Sequence, residues 1–87
     1  MKYYFYMVRC ADDSLYCGIA TDLEKRIKEH NSKTMKAAKY TRAKQPVVLV
    51  YSKRFKDRSS ALKREAEVKK WTKLQKESLI KYNSLKH

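Results

Sequence analysis

Three residues of this chain have types and spacing that could support chemistry: a cation, an imidazole and a carboxylate on two predicted helices. Arg26 and His30 lie one helical turn apart and border the apolar stripe of the first helix. Glu65 falls inside the apolar stripe of the second helix, where a carboxylate is costly unless a cation or a metal ion accompanies it. On this pattern alone, an ordinary ion pair between Glu65 and Arg26 is slightly favoured over a metal site.

The tyrosines form a second candidate group, because the chain contains seven of them in 87 residues. Tyr16 would share a strand face with Gly18 and Ala20, two small residues that leave open space beside its phenol. Gly18 is also the only glycine in the chain, and glycine weakens the interior of a strand. The arrangement fits either a site that something approaches closely or a core tyrosine that hydrogen-bonds through its hydroxyl.

The elements that must position these residues follow from the polar and apolar pattern. Strand-forming residues, turn residues and helix caps predict an antiparallel hairpin, a helix, a third strand and two further helices. The predicted strands are residues 3–10, 15–20 and 47–55; the predicted helices are 21–31, 61–71 and 73–83. The order β-β-α-β-α-α predicts an α+β domain with helices around a small three-stranded antiparallel sheet. We expect one domain over residues 1–87, too short for two cores.

Local signals refine these boundaries. Thr21 with Glu24, and Thr72 with Gln75, have the spacing of capping boxes, and residues 57–60 offer several N-caps for the second helix. The weakly patterned segment 32–45 is predicted to be a loop, and the apolar run 47–51 is predicted to be buried on both faces.

Charge is the strongest compositional signal, since 22 lysines and arginines against nine acids give a net charge of +13. The first 20 residues are balanced, whereas residues 21–50 carry an excess of +5 and residues 51–87 an excess of +8. A field of this size attracts polyanions. Nucleic acid is therefore the expected partner, ahead of an anionic membrane surface or a merely solubilising surface.

Other compositional features narrow the function classes. The chain has no apolar run long enough to span a bilayer and no signal-peptide core, so we expect a cytoplasmic protein that does not engage a membrane. Cys10 and Cys17 are then expected to be reduced thiols packed as small apolar groups. Two cysteines and two histidines, one of them His87 at the end of the chain, argue against a structural zinc site.

Taken together, the ordered motifs resemble those of the GIY-YIG nuclease superfamily, in particular its small stand-alone bacterial members. YFY at residues 4–6 and YCG at residues 16–18 stand where that family has its two triplets, with Tyr4 in place of a glycine and Cys17 in place of an isoleucine. Arg26 follows Tyr16 by ten residues and His30 lies one turn further on. AKYTR precedes the Pro-Val strand, and ALKREAE is similar to the segment that carries the metal-binding glutamate.

The resemblance implies hydrolysis of phosphodiester bonds, in DNA rather than RNA, with one divalent metal ion, Mg²⁺ or Mn²⁺. Glu65 would be the carboxylate ligand of that metal, and Arg26 would hold the scissile phosphate. Tyr6 would be the general base or would orient the water, which requires nearby positive charge or a metal to lower its pKa from about 10. Tyr16 would hydrogen-bond the phosphate or the water, with His30 assisting nearby.

The resemblance also suggests contacts outside the chemical step. Lys39, Tyr40 and Arg42 are candidates for binding the nucleic-acid backbone. Gly18 would give clearance for a phosphate or for the helix that carries Arg26, although a bulge or tight packing against that helix is the plainer explanation. No small-molecule cofactor is expected, and we expect a monomer. Asn83 does not clearly fit the spacing of the asparagine that many members use.

A shared site makes one demand on the hairpin. Tyr6 and Tyr16 lie on the same face only if the numbers of paired residues add up to an even value, as when Cys10 faces Ser14. A two-residue turn at Asp12 and Asp13 would place them on opposite faces. We predict the even register.

Two further functions fit the same composition. One is a nucleic-acid-binding module without cleavage activity, which would keep the basic surface and the aromatic residues but would not need Glu65 beside Arg26. The other is a structural protein associated with RNA or the ribosome.

Overall fold

The sheet that organises this protein has three antiparallel strands, with the first strand in the middle. A computed structural model describes residues 2–33, 37 and 39–85. Its elements are β1 (Tyr3–Arg9), β2 (Leu15–Ala20), α1 (Leu23–His30), α2 (Lys39–Arg42), β3 (Val48–Phe55), α3 (Arg58–Lys69) and α4 (Lys73–Leu85). The strand order is β2-β1-β3. The predicted α+β fold and its order are confirmed, with the short helix α2 as an addition.

The turn between β1 and β2 sets the register of the hairpin. The Cys10 amide donates to the Ser14 carbonyl at 2.8 Å and the Asp13 amide donates to the Cys10 carbonyl at 2.9 Å, so three residues form the loop. Asp13 closes it with a φ of 70°, the left-handed conformation that aspartate tolerates better than most residues. Tyr6 therefore pairs with Gly18 and Val8 with Tyr16. The predicted even register is confirmed.

Alternate residues of β1 enter two different clusters, because side chains of a strand point to opposite faces in turn. One face is apolar, and its buried residues are Phe5, Met7, Cys17, Tyr51 and Val68. The other face holds Tyr6, Val8, Cys10 and Val47, with Leu23 and Ile27 of α1 packed against them. We call these the apolar face and the tyrosine face. Helix α3 contacts β1 and β2, and α4 contacts β3. Cys10 and Cys17 are both free and buried, as expected.

Two of the predicted helix starts move by a few residues. Asp22, not Thr21, caps α1, since its carboxylate accepts the Lys25 amide at 3.1 Å. The strand before it continues to Ala20, which leaves Thr21 outside the cap position. Asp57 caps α3 by accepting the Ser60 amide at 2.7 Å, so this helix begins before Ala61. The Thr72 and Gln75 capping box is confirmed.

The predictions for segments 32–45 and 47–51 were wrong in part. The first segment contains α2. In the second, Val48 is 61% exposed and Leu49 is 38% exposed, because β3 is an edge strand whose pairing with β1 shifts between Met7 and Val8. Only Val47 and Tyr51 of this run are buried.

In the part of the chain that the structure describes, no helix combines the length and apolar character needed to cross a membrane.

Candidate active site

The ring of Tyr6 crosses the neighbouring strand directly over Gly18. A Cβ atom at residue 18 would lie 2.5 Å from the Tyr6 hydroxyl oxygen and 2.7 Å from the ring carbon that bears it, which is closer than real contacts allow. The backbone of Gly18 does not have a positive φ. The glycine is therefore present for space, and the group that fills the space is Tyr6. The sequence-based explanation by clearance for a phosphate or for α1 was wrong.

Lying across Gly18 brings the Tyr6 hydroxyl to the end of α1. It lies 2.7 Å from Nε2 of His30, the last residue of that helix. Arg26, one turn earlier, lies near enough for its positive charge to act on this hydroxyl. Tyr6 is 1% exposed and His30 is fully buried, so both side chains depend on each other for their polar contacts.

A residue that we had not predicted completes this network. Nδ1 of His30 lies 2.8 Å from Oγ1 of Thr41, which is fully buried on α2. Thr41 belongs to the AKYTR segment, whose neighbouring residues had been nominated instead. A small polar residue between long basic and aromatic residues gives little sequence signal. Its inward orientation becomes visible only once α2 is placed against α1.

Burial controls the protonation of both rings. It raises the pKa of Tyr6 to about 12, and the neighbouring Arg26 only partly opposes this effect. The charge of Arg26 alone therefore does not lower the pKa of Tyr6 below its usual value. Burial, followed by the positive charge of Arg26, lowers the pKa of His30 to about 4. At neutral pH, Tyr6 is a phenol and His30 is a neutral imidazole that can accept one hydrogen bond and donate another.

Tyr16 lies on the same side of this network. Its ring is 5.3 Å from the ring of His30, edge to face, and it is stacked on Tyr40 at 5.7 Å with an angle of 23° between the planes. The ammonium of Lys44 lies 4.0 Å from the centre of the Tyr40 ring and pairs with Asp12 in the hairpin loop at 3.0 Å. Tyr40 is thus engaged within the protein, where it braces Tyr16.

The two charged candidates have neighbours on their own helices. Arg26 pairs with Glu29 at 3.0 Å, and Glu65 pairs with Lys69 at 3.4 Å. The ion pair favoured from the pattern, between Glu65 and Arg26, is replaced by these intrahelical pairs. Glu65 is nevertheless close enough to Tyr6 to raise its pKa electrostatically. The carboxylate of α3 and the network on the tyrosine face therefore belong to one electrostatic neighbourhood.

The donor set around Glu65 is compatible with a hard divalent cation. Among the described residues, no three histidine, cysteine, aspartate or glutamate side chains are grouped so that they could enclose a metal ion. Glu65 is a single carboxylate, 18% exposed, and it pairs with the half-exposed Lys69. Magnesium retains several waters and is commonly held by one or two carboxylates together with substrate oxygens. A lone, accessible glutamate fits that pattern.

The three residues predicted to contact the nucleic-acid backbone lie on α2. Lys39 and Arg42 are exposed on α2, and Tyr40 is 41% exposed despite its stacking on Tyr16. A solvent-filled pocket of about 210 Å³ opens beside Arg26, lined by the end of β2 and the start of α1. Arg26 lines this pocket and its charge also acts on Tyr6. A ligand in the pocket would therefore lie next to the buried network.

Comparison with known proteins agrees with this geometry. The family model of the GIY-YIG catalytic domain matches residues 2–78. The chain belongs to the GIY-YIG family. Membership of this family implies nuclease activity and interaction with nucleic acid in general terms.

Relatives of this GIY-YIG protein occur in bacteria and archaea. A UPF0213 protein of Staphylococcus haemolyticus is 47% identical over 79 residues, which cover 91% of this chain and 94% of the relative. A UPF0213 protein of the archaeon Haloquadratum walsbyi is 48% identical over 77 residues, covering 88% and 84% of the two chains.

Solved structures of similar proteins show the same fold. The solution structure of a protein from E. faecalis is 44% identical, with a TM-score of 0.66 over 100% of this chain and 91% of that one. The solution structure of a UPF0213 protein from Bacillus halodurans is 40% identical, with a TM-score of 0.61 over 94% and 85% of the two chains.

Proposed function

We propose that this protein is a metal-dependent endonuclease that hydrolyses phosphodiester bonds of DNA. The observation that carries the proposal is the buried contact between Tyr6 and His30, with the positive charge of Arg26 close to the same hydroxyl. A merely structural tyrosine needs one partner for its hydroxyl. Here a cation and an imidazole converge on it, beside a pocket open to solvent.

Arg26 is the group suited to the scissile phosphate. A guanidinium has five N–H donors in a rigid fork that matches phosphate oxygens, and Arg26 lines the pocket that is open to solvent. Tyr16 is placed to hydrogen-bond the same phosphate or the attacking water. An anionic phosphate beside Arg26 also offsets the positive charge that lowers the pKa of His30, so substrate binding makes Nε2 a better proton acceptor.

The proton route follows from these contacts. As water oxygen bonds to phosphorus, the water proton passes to the Tyr6 oxygen and the Tyr6 proton passes to Nε2 of His30. The bond from phosphorus to the leaving oxygen then breaks, with its electron pair remaining on that oxygen. The result is an imidazolium at His30 and an unchanged phenol at Tyr6. This relay does not require a free phenolate, which agrees with the raised pKa of Tyr6.

Glu65 is the residue that would hold the divalent metal, Mg²⁺ or Mn²⁺. When bound, that ion would neutralise phosphate charge and stabilise the leaving alkoxide. The half-exposed Lys69 beside Glu65 can turn away into solvent when a cation binds, since a pair of this kind contributes little to stability.

Substrate attraction comes from the basic surface. The charge of +13 favours polyanions at long range, and the exposed Lys39 and Arg42 on α2 are candidates for contacts to the backbone on either side of the cleaved bond. We propose DNA as the substrate and the monomer as the active form.

The test uses two glutamates of the same helix. Glu65→Gln removes the proposed metal ligand, and Glu67→Gln is the matched control, because Glu67 is an exposed residue that pairs with Arg64. Nicking of branched, single-stranded and duplex DNA is measured with Mg²⁺, with Mn²⁺ and with EDTA. We expect cleavage by wild type and Glu67→Gln only with metal, and none by Glu65→Gln.

The competing function gives a different result. A binding module without catalysis would retain DNA or RNA in a filter assay, but wild type and Glu65→Gln would behave alike in every nicking reaction. That outcome would remove the nuclease proposal for these substrates.

A further inference from the structure

We propose that Thr41 is a positioning residue, which fixes the tautomer of His30 so that Nε2 is free to accept the Tyr6 proton. The inference rests on the proposed function for its catalytic meaning. The tautomer itself follows from the contacts of buried His30 with Tyr6 and Thr41. It can be tested without any cleavage assay.

The direction of the hydrogen bonds begins at Tyr6, because a neutral phenol hydroxyl has one hydrogen to donate. The Tyr6 hydroxyl keeps its own proton and needs an acceptor, because the side chain is 1% exposed. Nε2 of His30, at 2.7 Å, is the acceptor that the structure offers.

The other end of the imidazole must then carry the hydrogen. His30 is neutral, and a neutral imidazole has one N–H and one bare nitrogen. If Nε2 is bare, Nδ1 carries the hydrogen and donates to Oγ1 of Thr41 at 2.8 Å. Both residues are fully buried, so water does not compete for this contact at the protein surface. Thr41 thus stabilises this tautomer, because its hydroxyl oxygen is a buried acceptor for the nitrogen that faces away from Tyr6.

The opposite arrangement lacks this internal consistency. With hydrogen on Nε2, the imidazole would donate to the Tyr6 oxygen. The buried Tyr6 hydroxyl hydrogen would then need a different acceptor. More important for the reaction, His30 would have no lone pair facing Tyr6 and could not receive its proton.

Helix α2 is short, but its position makes this contact specific. It has four residues, of which Thr41 is the buried one, and the adjacent Tyr40 stacks on Tyr16. One short helix therefore contacts His30 through Thr41 and Tyr16 through Tyr40.

The first experiment measures the tautomer directly. Long-range ¹H–¹⁵N NMR correlation of the full chain labelled at histidine nitrogen distinguishes Nδ1–H from Nε2–H at pH 7. The chain has two histidines, and a His30→Gln sample assigns the signals. We expect Nδ1–H in the wild type and in Thr41→Ser, which keeps the hydroxyl. A wild-type spectrum with hydrogen on Nε2 would overturn the proposal, whether or not any variant folds.

Thr41→Val tests the cause. Valine has nearly the same shape but cannot accept a hydrogen bond, so we expect the His30 signal to shift towards the Nε2–H tautomer. In a cleavage assay we expect kcat to fall about 10- to 100-fold with a smaller change in KM, and Thr41→Ser to restore most of it. If Thr41→Val keeps the wild-type tautomer, Thr41 does not select it and the proposal is wrong.

The failure of this inference can be separated from the failure of the proposed function. If no DNA substrate is cleaved by wild type, the nuclease proposal fails, whereas the wild-type NMR spectrum still decides which tautomer the contact with Thr41 supports. If wild type cleaves DNA with hydrogen on Nε2, the nuclease proposal stands and the role of Thr41 falls.

Discussion

The two faces of β1 are built from alternate residues of the same seven-residue strand, yet they are held together in different ways. On the apolar face, Phe5 and Met7 pack with Tyr51 and Val68 through contacts that have no required direction. On the tyrosine face, Tyr6 is as deeply buried as Phe5, but its hydroxyl hydrogen-bonds Nε2 of His30 and lies close to the charge of Arg26. Phe5 and Tyr6 are equally buried, but we expect the apolar face to tolerate substitution better than the tyrosine face.

The difference shows how a small domain can separate stability from activity. Apolar packing depends on volume and area, so several side chains can serve at one position with a moderate loss. A buried hydrogen-bond network depends on connectivity, and losing one partner leaves the next one unsatisfied. We therefore expect substitutions on the apolar face to act mainly on the free energy of unfolding, and substitutions of the polar groups on the tyrosine face to act on the reaction as well.

The largest effect on stability should come from the centre of the apolar face. Phe5 is fully buried, and Phe5→Ala should lower the free energy of unfolding by about 3–5 kcal/mol, because it removes the transfer energy of the ring and leaves a cavity. Chemical denaturation followed by circular dichroism measures this change. A loss below about 1 kcal/mol would show that this face does not form the core. Cleavage per folded molecule should stay close to wild type.

The converse result is expected for Arg26 on the tyrosine face. Arg26→Lys keeps the charge but loses the planar donor fork, so cleavage should fall by about 100-fold, while the free energy of unfolding changes little. The matched control is Arg42→Lys on α2, at an exposed arginine outside the network. Single-turnover cleavage with saturating enzyme separates the two variants. Equal losses in both would mean that Arg26 contributes only general charge.

Gly18 is the point where the strand backbone limits the tyrosine face. Gly18→Ala places a methyl group against the Tyr6 ring, and we expect the free energy of unfolding to fall by about 1–3 kcal/mol, as for other overpacked positions. The loss should be smaller in a Tyr6→Ala background, where the ring is absent. A double-mutant cycle measures this coupling. Additive effects of the two substitutions would show that Tyr6 does not occupy the space over residue 18 in solution.

The contribution of His30 to stability depends on pH. Its pKa is about 4 in the folded protein and near 6.5 when unfolded, so between these values the unfolded chain binds the additional proton. Stability contributed by neutral His30 is thus complete above about pH 6.5 and declines as the pH falls towards 4, by at most about 1.4 kcal/mol per pH unit.

Denaturation curves of wild type and His30→Gln between pH 7 and pH 5 test this dependence, in a range where few carboxylates titrate. We expect a flatter profile for the variant. Parallel profiles would contradict the burial of a neutral imidazole on the tyrosine face.

Sequence reasoning was most successful where function and geometry impose the same requirement. The need for Tyr6 and Tyr16 to share a face predicted the hairpin register before the turn was known, and the triplets with Arg26 and His30 gave the family. It failed for Gly18, because the residue that needs the space lies on the neighbouring strand. It also missed Thr41, whose segment has no apolar periodicity. It placed the N-cap of α1 at Thr21 instead of Asp22, because either of two adjacent polar residues can cap a helix.

The ion pairs of the hairpin loop affect how many counterions would be released when this protein binds DNA. Asp12 pairs with Lys44, and Asp13 pairs with both Arg9 and Lys73, while Arg9 also forms a two-pronged contact with Glu77. At least seven of the 22 cations are already paired with carboxylates in this way. Each phosphate contact releases counterions and steepens the dependence of affinity on salt. The slope of log affinity against log salt concentration should therefore reflect the cations that are not paired with carboxylates and that face the strand. Its magnitude should be well below that expected for all 13 net charges.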